Sequence, residues 1–212
     1  MTAERACSVV CGTRHMRELC LRTLPPRGGV GAAVPVTRHA MVAVRTALDS
    51  YTATAATTAS LIDGGAIPAS DKAAYGDCMV GYGRARGAMA RVADDLAGGC
   101  DRAADLKPGY TVGLRGMDRC RRSMFNYPAS PLYAMNLADR NRTLLAALLC
   151  SLVPAPRVVT SQSTFDSTTK IGLTSMFVIY TNLGETLDDV ALDKKLFDTV
   201  LDRFLSVIAG IE

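Results

Sequence analysis

The sequence predicts an all-α protein: an up-down four-helix bundle, stapled by disulfides, with a helical hairpin at the N-terminal end and an extra C-terminal segment. Three observations support this fold class. Apolar and small residues recur at alternating steps of three and four along several long segments. Alanine, which favours helix more than any other residue, supplies much of the apolar content. The links between the long segments are short, so consecutive helices are expected to be antiparallel neighbours.

The N-terminal part, residues 1–29, is predicted to be a hairpin of two short helices. It contains the stretch CGTRHMRELC, from Cys11 to Cys20, with Cys7 just upstream, and a Pro-Pro-Arg-Gly-Gly run ends it. Metal binding, catalysis and a disulfide are the three possible roles of these thiols. Cys7, Cys11, His15 and Cys20 are ligand types that zinc accepts, although structural zinc sites usually have closer cysteine pairs.

The first two bundle helices are expected at residues 37–62 and 70–97. Thr37 is a possible N-cap of the first helix, and Ser70 with Asp71 a possible start of the second. The inward stripe of the first is Met41, Val44, Leu48, Tyr51, Ala55 and Ile62, and that of the second is Tyr75, Cys78, Tyr82, Ala85, Met89, Val92 and Leu96. The glycines of the second helix either permit close helix approach or weaken the helix: Gly76, Gly81, Gly83 and Gly87.

The last two bundle helices are expected at about 110–124 and 131–152. The sequence Pro108-Gly109 argues against extending the third helix far upstream, and its inward residues are Leu114, Met117 and Met124. Ser130 followed by Pro131 is typical of a helix start. The predicted inward stripe of the fourth helix is Leu137, Leu144, Leu148 and Leu152. These helices complete a bundle domain over residues 30–155.

Composition changes near Pro154 and Pro156. Residues 1–157 hold 20 lysines and arginines against 12 acidic residues, whereas residues 158–212 hold 4 against 8. The predicted third part, 156–212, has no cysteine. It contains IGLTSMFVIYT, which favours a strand, and an amphipathic helical pattern with Leu192, Leu196, Val200 and Phe204 on one stripe. This extension either packs on the bundle, binds a partner helix, or is sequence of foreign origin.

Several function classes receive little support. No apolar run approaches the about 20 residues of a membrane span, and the first ten residues lack the apolar core of a secretory signal peptide. The net charge of +4 and the few aromatic residues give little reason to expect nucleic acid. A catalytic cysteine needs a base nearby, and His15 and His39 are the only histidines. We therefore expect neither an enzyme nor a cofactor or metal site.

An ordered set of motifs over residues 7–153 resembles the plant invertase and pectin methylesterase inhibitor family. These motifs are the cysteine-bounded CGTRHMRELC, an alanine-rich helix, an Asp-Cys pair with a tyrosine one turn later (Asp77, Cys78, Tyr82), a cysteine some forty residues on with a trailing phenylalanine (Cys120, Phe125), and the Ser130-Pro131-Leu132 helix start. The chain departs from the family at LKPGY, where an unbroken helix is usual. It also lacks the Pro-Lys-Phe stretch of some invertase inhibitors.

The resemblance implies disulfides Cys11–Cys20 and Cys78–Cys120, which leaves Cys7, Cys100 and Cys150 over. It implies a non-enzymatic inhibitor, secreted to the apoplast or cell wall, that occludes the substrate cleft of its partner. Pectin methylesterase is slightly preferred over acid invertase as the target. By family analogy the loop around Arg102, Lys107 and Tyr110 lies nearest the active site of an invertase target.

Asn141-Arg142-Thr143 is a glycosylation sequon within a predicted helix, so Asn141 is either modified or simply part of a helix surface. Arg119, Arg121 and Arg122 form the densest basic spot, either a solvated helix face or a contact for an acidic groove.

The alternatives to an inhibitor are an intracellular adaptor that uses the C-terminal helix and a non-functional relative of the family.

Overall fold

The computed structural model describes residues 1–24, 33–98 and 105–154, which form six helices and no strand. The helices are α1 (Ala3–Val10), α2 (Arg14–Thr23), α3 (Val36–Asp63), α4 (Lys72–Ala97), α5 (Lys107–Ser123) and α6 (Pro131–Cys150). The predicted all-α class is therefore confirmed. None of the helices in these ranges is long and apolar enough to cross a membrane. The strand and amphipathic helix predicted after residue 156 lie outside the described residues.

Helices α1 and α2 form the predicted N-terminal hairpin. Each begins at a threonine whose hydroxyl accepts a backbone N–H of the first turn: Thr2 from Arg5, and Thr13 from Met16, both at 3.2 Å. Such caps satisfy N–H groups that have no partner within the helix. The buried face of the hairpin carries Ala6, Cys7, Val10, Met16, Cys20 and Leu24, and both short helices contact α3 and α6.

Helices α3 to α6 form the bundle, in which α3 and α5 each contact both α4 and α6. The core stripe predicted for α4 is correct from Tyr75 to Val92, because all six of these residues are at most 5% exposed. The stripe predicted for α3 is wrong at its C-terminal end. Ile62 is 39% exposed, while Thr54 and Thr58 are buried in its place. Thr37 is not a cap either, because α3 begins one residue earlier, after Pro35.

Helices α4 and α5 pack closely at a pair of glycines, Gly81 and Gly116. A Cβ added to Gly81 would lie 2.5 Å from the carbonyl oxygen of Gly116, and a Cβ on Gly116 would lie 2.5 Å from that of Gly81. Of the four glycines noted in α4, only Gly81 serves such an approach, since a Cβ on Gly76 or Gly83 meets nothing within 4 Å. Backbone contact at this point brings α4 and α5 together beside the Cys78–Cys120 disulfide.

Replacing Gly81 by alanine is expected to destabilise the protein by about 1–3 kcal/mol, because the new methyl group overlaps backbone that has no space to move. The matched control is Gly83→Ala, two residues along the same helix on its exposed side. That substitution is expected to stabilise by about 0.5–1 kcal/mol, since alanine favours helix and meets no neighbour. Guanidinium unfolding measures both changes, and a stabilising Gly81→Ala substitution contradicts the close approach.

Helix α6 buries polar side chains where leucines were predicted to point inward. Asn136, Asp139 and Thr143 are at most 1% exposed, whereas Leu137 is 37% exposed. The two sets differ by one position along the helix, a rotation of about 100°. The leucine stripe was therefore wrong in its first half, and Leu148 alone among the four predicted leucines is buried. The reason is a polar network that α6 forms with α3 and α4, described below.

Candidate target-binding surface

Of the three residues predicted to contact a partner, two lie in the described ranges, and one of these is buried. Arg102 lies outside the described residues. Lys107 is the first residue of α5 and is partly exposed, while Tyr110 is only 3% exposed, and burial raises the pKa of its hydroxyl to about 12. Because Pro108 is accommodated in the first turn, α5 begins at Lys107, and Tyr110 then falls on the same inward face as Gly113 and Met117. Tyr110 is therefore a packing residue, which corrects the expectation that it contacts a partner.

The N-terminal disulfide joins Cys7 to Cys20, not Cys11 to Cys20, so the pairing expected from the resemblance is wrong. In an antiparallel hairpin, residues equally far from the turn face each other. Cys11 lies at the turn, where its thiol donates to the carbonyl of Met16 at 3.4 Å. Cys20 lies one helical turn beyond Met16 and faces Cys7, with a Cα–Cα distance of 5.7 Å. This disulfide also removes two of the four ligands considered for zinc.

The Cys7–Cys20 pairing is tested by single serine variants. Tryptic cleavage after Arg5 and Arg14 leaves Cys7 and Cys11 in one peptide, so the mass of a cross-linked peptide does not show which of the two is bonded to Cys20. Cys7→Ser is expected to lose the cross-link and about 3 kcal/mol of unfolding free energy. Cys11→Ser is expected to keep the cross-link and to change stability far less. Non-reducing peptide mass spectrometry and denaturant unfolding give the two readouts. Loss of the cross-link in Cys11→Ser instead of Cys7→Ser contradicts the structure.

The other cysteines of the described ranges are a second disulfide and two thiols, and Cys100 lies outside these ranges. Cys78 and Cys120 are joined, as the resemblance implied, and tie α4 to α5. Cys11 and Cys150 have no disulfide partner in the described ranges. Burial raises the pKa of the Cys11 thiol to about 11 and that of Cys150 to about 12. A thiol with so high a pKa is a poor nucleophile at neutral pH, which fits packing roles for both residues.

The bundle interior contains a polar network centred on Asp139. Its carboxylate accepts from Thr54 at 2.7 Å, from the Tyr82 hydroxyl at 2.8 Å, from Ser50, and from Arg142 at 2.9 Å. The donors come from α3, α4 and α6, so one carboxylate links three of the four bundle helices. Asp139 itself is 1% exposed. A network of this kind fixes the relative positions of the helices and gives a rigid body.

Burial makes the bundle sensitive to alkaline pH. It raises the pKa of the Tyr51 and Tyr82 hydroxyls, the latter also because of the nearby Asp139 charge, and it raises the pKa of Cys150 from 9.0 to about 12. The folded state therefore keeps protons that the unfolded chain releases above about pH 9.

The free energy of unfolding is consequently expected to fall as the pH rises from about 9 to about 11. Guanidinium unfolding at several pH values measures the slope. Tyr82→Phe, which removes one of the titrating groups, is expected to make the slope shallower. A free energy of unfolding that stays constant through this range contradicts the assignment.

The sequon residue Asn141 lies on α6 and is partly exposed, with its amide nitrogen 3.5 Å from Nε2 of His15. The third residue of the sequon, Thr143, is fully buried, donates to the Asp139 carbonyl and bonds to the Tyr51 hydroxyl. Its hydroxyl is therefore not presented at the surface of the folded helix. Glycosylation at Asn141 stays a prediction, and the fold allows it only before α6 is in place.

The basic spot at Arg119, Arg121 and Arg122 is divided between two sides of α5. The Arg119 side chain turns to α4, where it pairs with Asp77 at 3.3 Å. Arg121 lies 3.9 Å from Asp118 of its own helix, which also pairs with Arg140 of α6, and Arg122 is exposed. The three arginines therefore do not act as one patch.

A face of mixed apolar and charged residues lies where α5 and α6 pack together. It consists of two stripes with steps of four, three and four: Leu114, Asp118 and Arg121 on α5 with Phe125 in the turn that follows it, and Tyr133, Leu137, Arg140 and Leu144 on α6. We call these eight residues the α5–α6 face. Phe125 is 52% and Leu137 is 37% exposed, and the contact of Arg140 with Asp118 at 2.7 Å holds the stripes side by side.

The centre of the α5–α6 face carries an excess positive charge. One carboxylate, Asp118, lies against two guanidinium groups, Arg140 and Arg121, and the Nε of Arg121 has no hydrogen-bond partner among the described residues. Arginines and aromatic side chains flanked by leucine are the residue types enriched at protein interfaces. The sequence alone did not lead to this face. The four-three-four spacing that includes Leu114, Arg121 and Phe125, which the residues of α6 repeat, could have indicated it.

No family model matches the sequence, and no curated protein matches it. Among solved structures, the chain is similar to two described as pectin methylesterase inhibitors. A mutant form of the inhibitor from Arabidopsis matches with a TM-score of 0.59 and 20% identity, over 70% of this chain and 97% of that one. An inhibitor from Arabidopsis thaliana matches with a TM-score of 0.53 and 20% identity, over 73% of this chain and 99% of that one. At this identity the similarity shows a shared fold.

Proposed function

We propose that this protein is a proteinaceous inhibitor of a pectin methylesterase. The observation that carries the proposal is the fold: the chain covers almost the whole length of two solved pectin methylesterase inhibitors. The proposed inhibitor does no chemistry itself. It covers the substrate cleft of the target enzyme, and it works outside the cell, in the apoplast or cell wall, where the pectin substrate lies.

Rigidity supports an inhibitor that acts by occlusion. A preorganised surface loses little conformational entropy on binding, so more of its contact energy appears as affinity. The two disulfides and the Asp139 network hold this bundle in one arrangement. An oxidising extracellular compartment is also where disulfides persist.

The α5–α6 face is the proposed contact surface. Its exposed apolar residues, Phe125 and Leu137, are suited to exclude water at the centre of an interface, and its excess guanidinium charge suits a carboxylate on the enzyme. Acid invertase remains the alternative target. It is less favoured because Tyr110, of the loop expected to reach an invertase active site, is buried.

The test is inhibition of purified pectin methylesterase and of purified acid invertase by the oxidised full-length protein. Inhibition of the esterase alone is expected, with weaker inhibition after reduction of the disulfides. Failure of the folded, oxidised protein to inhibit the esterase overturns the proposal. The number of free thiols is counted before and after reduction and is expected to rise by four, which verifies that both disulfides are present. The same count separates an extracellular inhibitor from a reduced intracellular adaptor.

Paired variants test the proposed surface. The double variant Phe125→Ala/Leu137→Ala is expected to weaken inhibition about 30-fold or more, because exposed aromatic and aliphatic anchors carry most of the energy of an interface. The matched control is Val9→Ala/Leu21→Ala, which removes two apolar side chains of the hairpin that are 49% and 38% exposed. Equal loss of inhibition in both variants contradicts an interface on the α5–α6 face.

A further inference from the structure

A second surface, on the opposite side of α5, carries arginines instead of aromatic residues. Residues at steps of three and four line the outer edge of the contact between α4 and α5: Asp77, Val80 and Arg84 on α4, and Val112, Arg115, Arg119 and Arg122 on α5. We call these seven residues the arginine face. Arg84, Arg115 and Arg122 are exposed, and the Arg119 side chain is 40% exposed. The two stripes are held together by the Arg119–Asp77 ion pair.

The arginine face has a net charge of +3, from four arginines and one aspartate. Its single acid, Asp77, is 61% exposed and pairs with Arg119 at 3.3 Å, which leaves three guanidinium groups without a described carboxylate partner. The Nε of Arg119 is buried and has no hydrogen-bond partner in the described ranges. Guanidinium groups without partners attract carboxylates and can bind them in bidentate fashion.

The shape of this surface is long and shallow. Because Gly81 and Gly116 bring the α4 and α5 backbones into contact, the two helices lie side by side with no deep groove between them. Arg115 and Arg122 are two helical turns apart, about 10 Å along α5, and Arg84 lies across the helix pair. The positive charges of α5 therefore form an extended row, with Val112 (38% exposed) at its N-terminal end, while Val80 (46% exposed) lies between Asp77 and Arg84 on α4.

From this arrangement we propose that the arginine face binds a linear polyuronate, the carboxylate-bearing chain that remains when a pectin loses its methyl esters. The identity of the polymer rests on the proposed function, because a pectin methylesterase produces free carboxylates of this kind. Binding to its product would hold the inhibitor on stretches of pectin that the enzyme has already processed, close to the enzyme that works at their ends.

The residue types favour a charged polysaccharide over other anionic partners. Interfaces with proteins concentrate aromatic anchors, and the arginine face has none, whereas the α5–α6 face has Phe125 and Tyr133. Single-stranded nucleic acid binds where bases stack on aromatic side chains, which are also missing from these seven residues. A row of exposed arginines along one helix fits a polymer whose charges are carboxylates spaced along a saccharide backbone.

The experiment measures retardation of the full-length protein in native gels that contain polygalacturonate, compared with gels that contain highly methyl-esterified pectin or dextran. The triple variant Arg84→Gln/Arg115→Gln/Arg122→Gln removes three charges from the arginine face. The matched control, Arg38→Gln/Arg45→Gln/Arg86→Gln, removes three exposed arginines elsewhere on α3 and α4. Asp77→Asn removes the single acid of the face.

The protein is expected to be retarded by polygalacturonate alone and released as salt shortens the Debye length from about 10 Å at 0.1 M to about 3 Å at 1 M. The triple variant is expected to bind about 10-fold or more weakly, the control variant within about 3-fold of the original protein, and Asp77→Asn more tightly. Far-ultraviolet circular dichroism verifies that each variant is folded.

Four results would overturn the proposal. Absence of retardation removes polyuronate binding. Equal weakening in both triple variants means that net charge alone is responsible, and equal binding to esterified pectin means that the carboxylates are not recognised. If the triple variant loses esterase inhibition and keeps polygalacturonate binding, the face contacts protein instead. Because the gels contain no enzyme, polyuronate binding and the proposed inhibition succeed or fail independently.

Discussion

Asp139→Ala is expected to destabilise the protein by about 3–5 kcal/mol, which is a large part of the stability of a domain of this size. The substitution leaves four donors inside the bundle without their acceptor: Ser50, Thr54, Tyr82 and Arg142. Buried donors that lose their partner are penalised by the full cost of their desolvation. Arg142 is partly relieved because its side chain is 34% exposed and can turn to solvent.

The variant Asp139→Asn removes the negative charge of the side chain and keeps its shape, so it separates the contributions of the two to stability. An amide presents one oxygen and one NH2 group, so at least one of the two carboxylate positions then places a donor against donors. Because Oδ1 accepts from Ser50 and Arg142 while Oδ2 accepts from Thr54 and Tyr82, an NH2 group at the first position faces the Arg142 donor, and one at the second position requires both hydroxyls to turn from donating to accepting. A loss of about 2–4 kcal/mol is expected.

Guanidinium unfolding of these variants is compared with that of Asp49→Asn, an exposed aspartate of α3 that is expected to change stability by less than about 0.5 kcal/mol. A double-mutant cycle with Tyr82→Phe tests the direct contact. The combined loss is expected to be smaller than the sum of the single losses, because both substitutions break the same hydrogen bond. A loss in Asp139→Asn as small as that of the surface control contradicts a network role.

The same network explains how far the fold was predictable from the sequence. The α4 stripe from Tyr75 to Val92 could be identified because its residues are apolar or small at helical spacing, and burial of such residues needs no specific partner. The inward face of α6 could not be identified in this way. Asn136, Asp139 and Thr143 have the same spacing, but a polar residue is buried only when other helices supply its hydrogen bonds, and Thr54 and Tyr82 lie more than fifty positions away.

The candidate surface was less predictable than the fold. Tyr110 was expected at a contact by family analogy, but α5 begins at Lys107, so Tyr110 lies within the helix, on its buried face. Phe125 was noted only as the residue that follows a cysteine. Its exposure depends on the position of α6 beside α5, which the Asp118–Arg140 ion pair holds and which no local pattern shows.

One of the two disulfides was predicted correctly and the other was not. The Cys78–Cys120 pairing, which the resemblance implied, is present, and both cysteines are buried on neighbouring helices. Cys7, Cys11 and Cys20 offered two pairings within one hairpin, and the position of the turn decides between them. The turn begins at Cys11, where its thiol contacts the Met16 carbonyl, and that detail selects Cys7 as the partner of Cys20.

The double variant Cys78→Ala/Cys120→Ala is expected to lose about 4 kcal/mol of unfolding free energy, because the cross-link closes a loop with a sequence separation of 42 residues. Removing the cross-link increases the conformational entropy of the unfolded chain. The dependence of unfolding on denaturant concentration is therefore expected to become steeper, since a less compact unfolded chain exposes more surface. Cys11→Ser is the matched control, as it removes a thiol without removing a cross-link.

Destabilisation of the double variant has two possible causes: loss of the cross-link, or loss of packing around the sulfur atoms. The reduced wild-type protein distinguishes these causes. It keeps both sulfur atoms but has no bond between them. If the cross-link accounts for the effect, reduced Cys7→Ser/Cys20→Ser protein is expected to match the variant that carries Cys78→Ala/Cys120→Ala in addition to those two serines, within about 1 kcal/mol. If that reduced protein instead stays near the stability of the oxidised one, the backbone contact of Gly81 with Gly116 already holds α4 against α5, and the disulfide adds little to it. In that case Gly116→Ala is expected to cost more stability than loss of the disulfide.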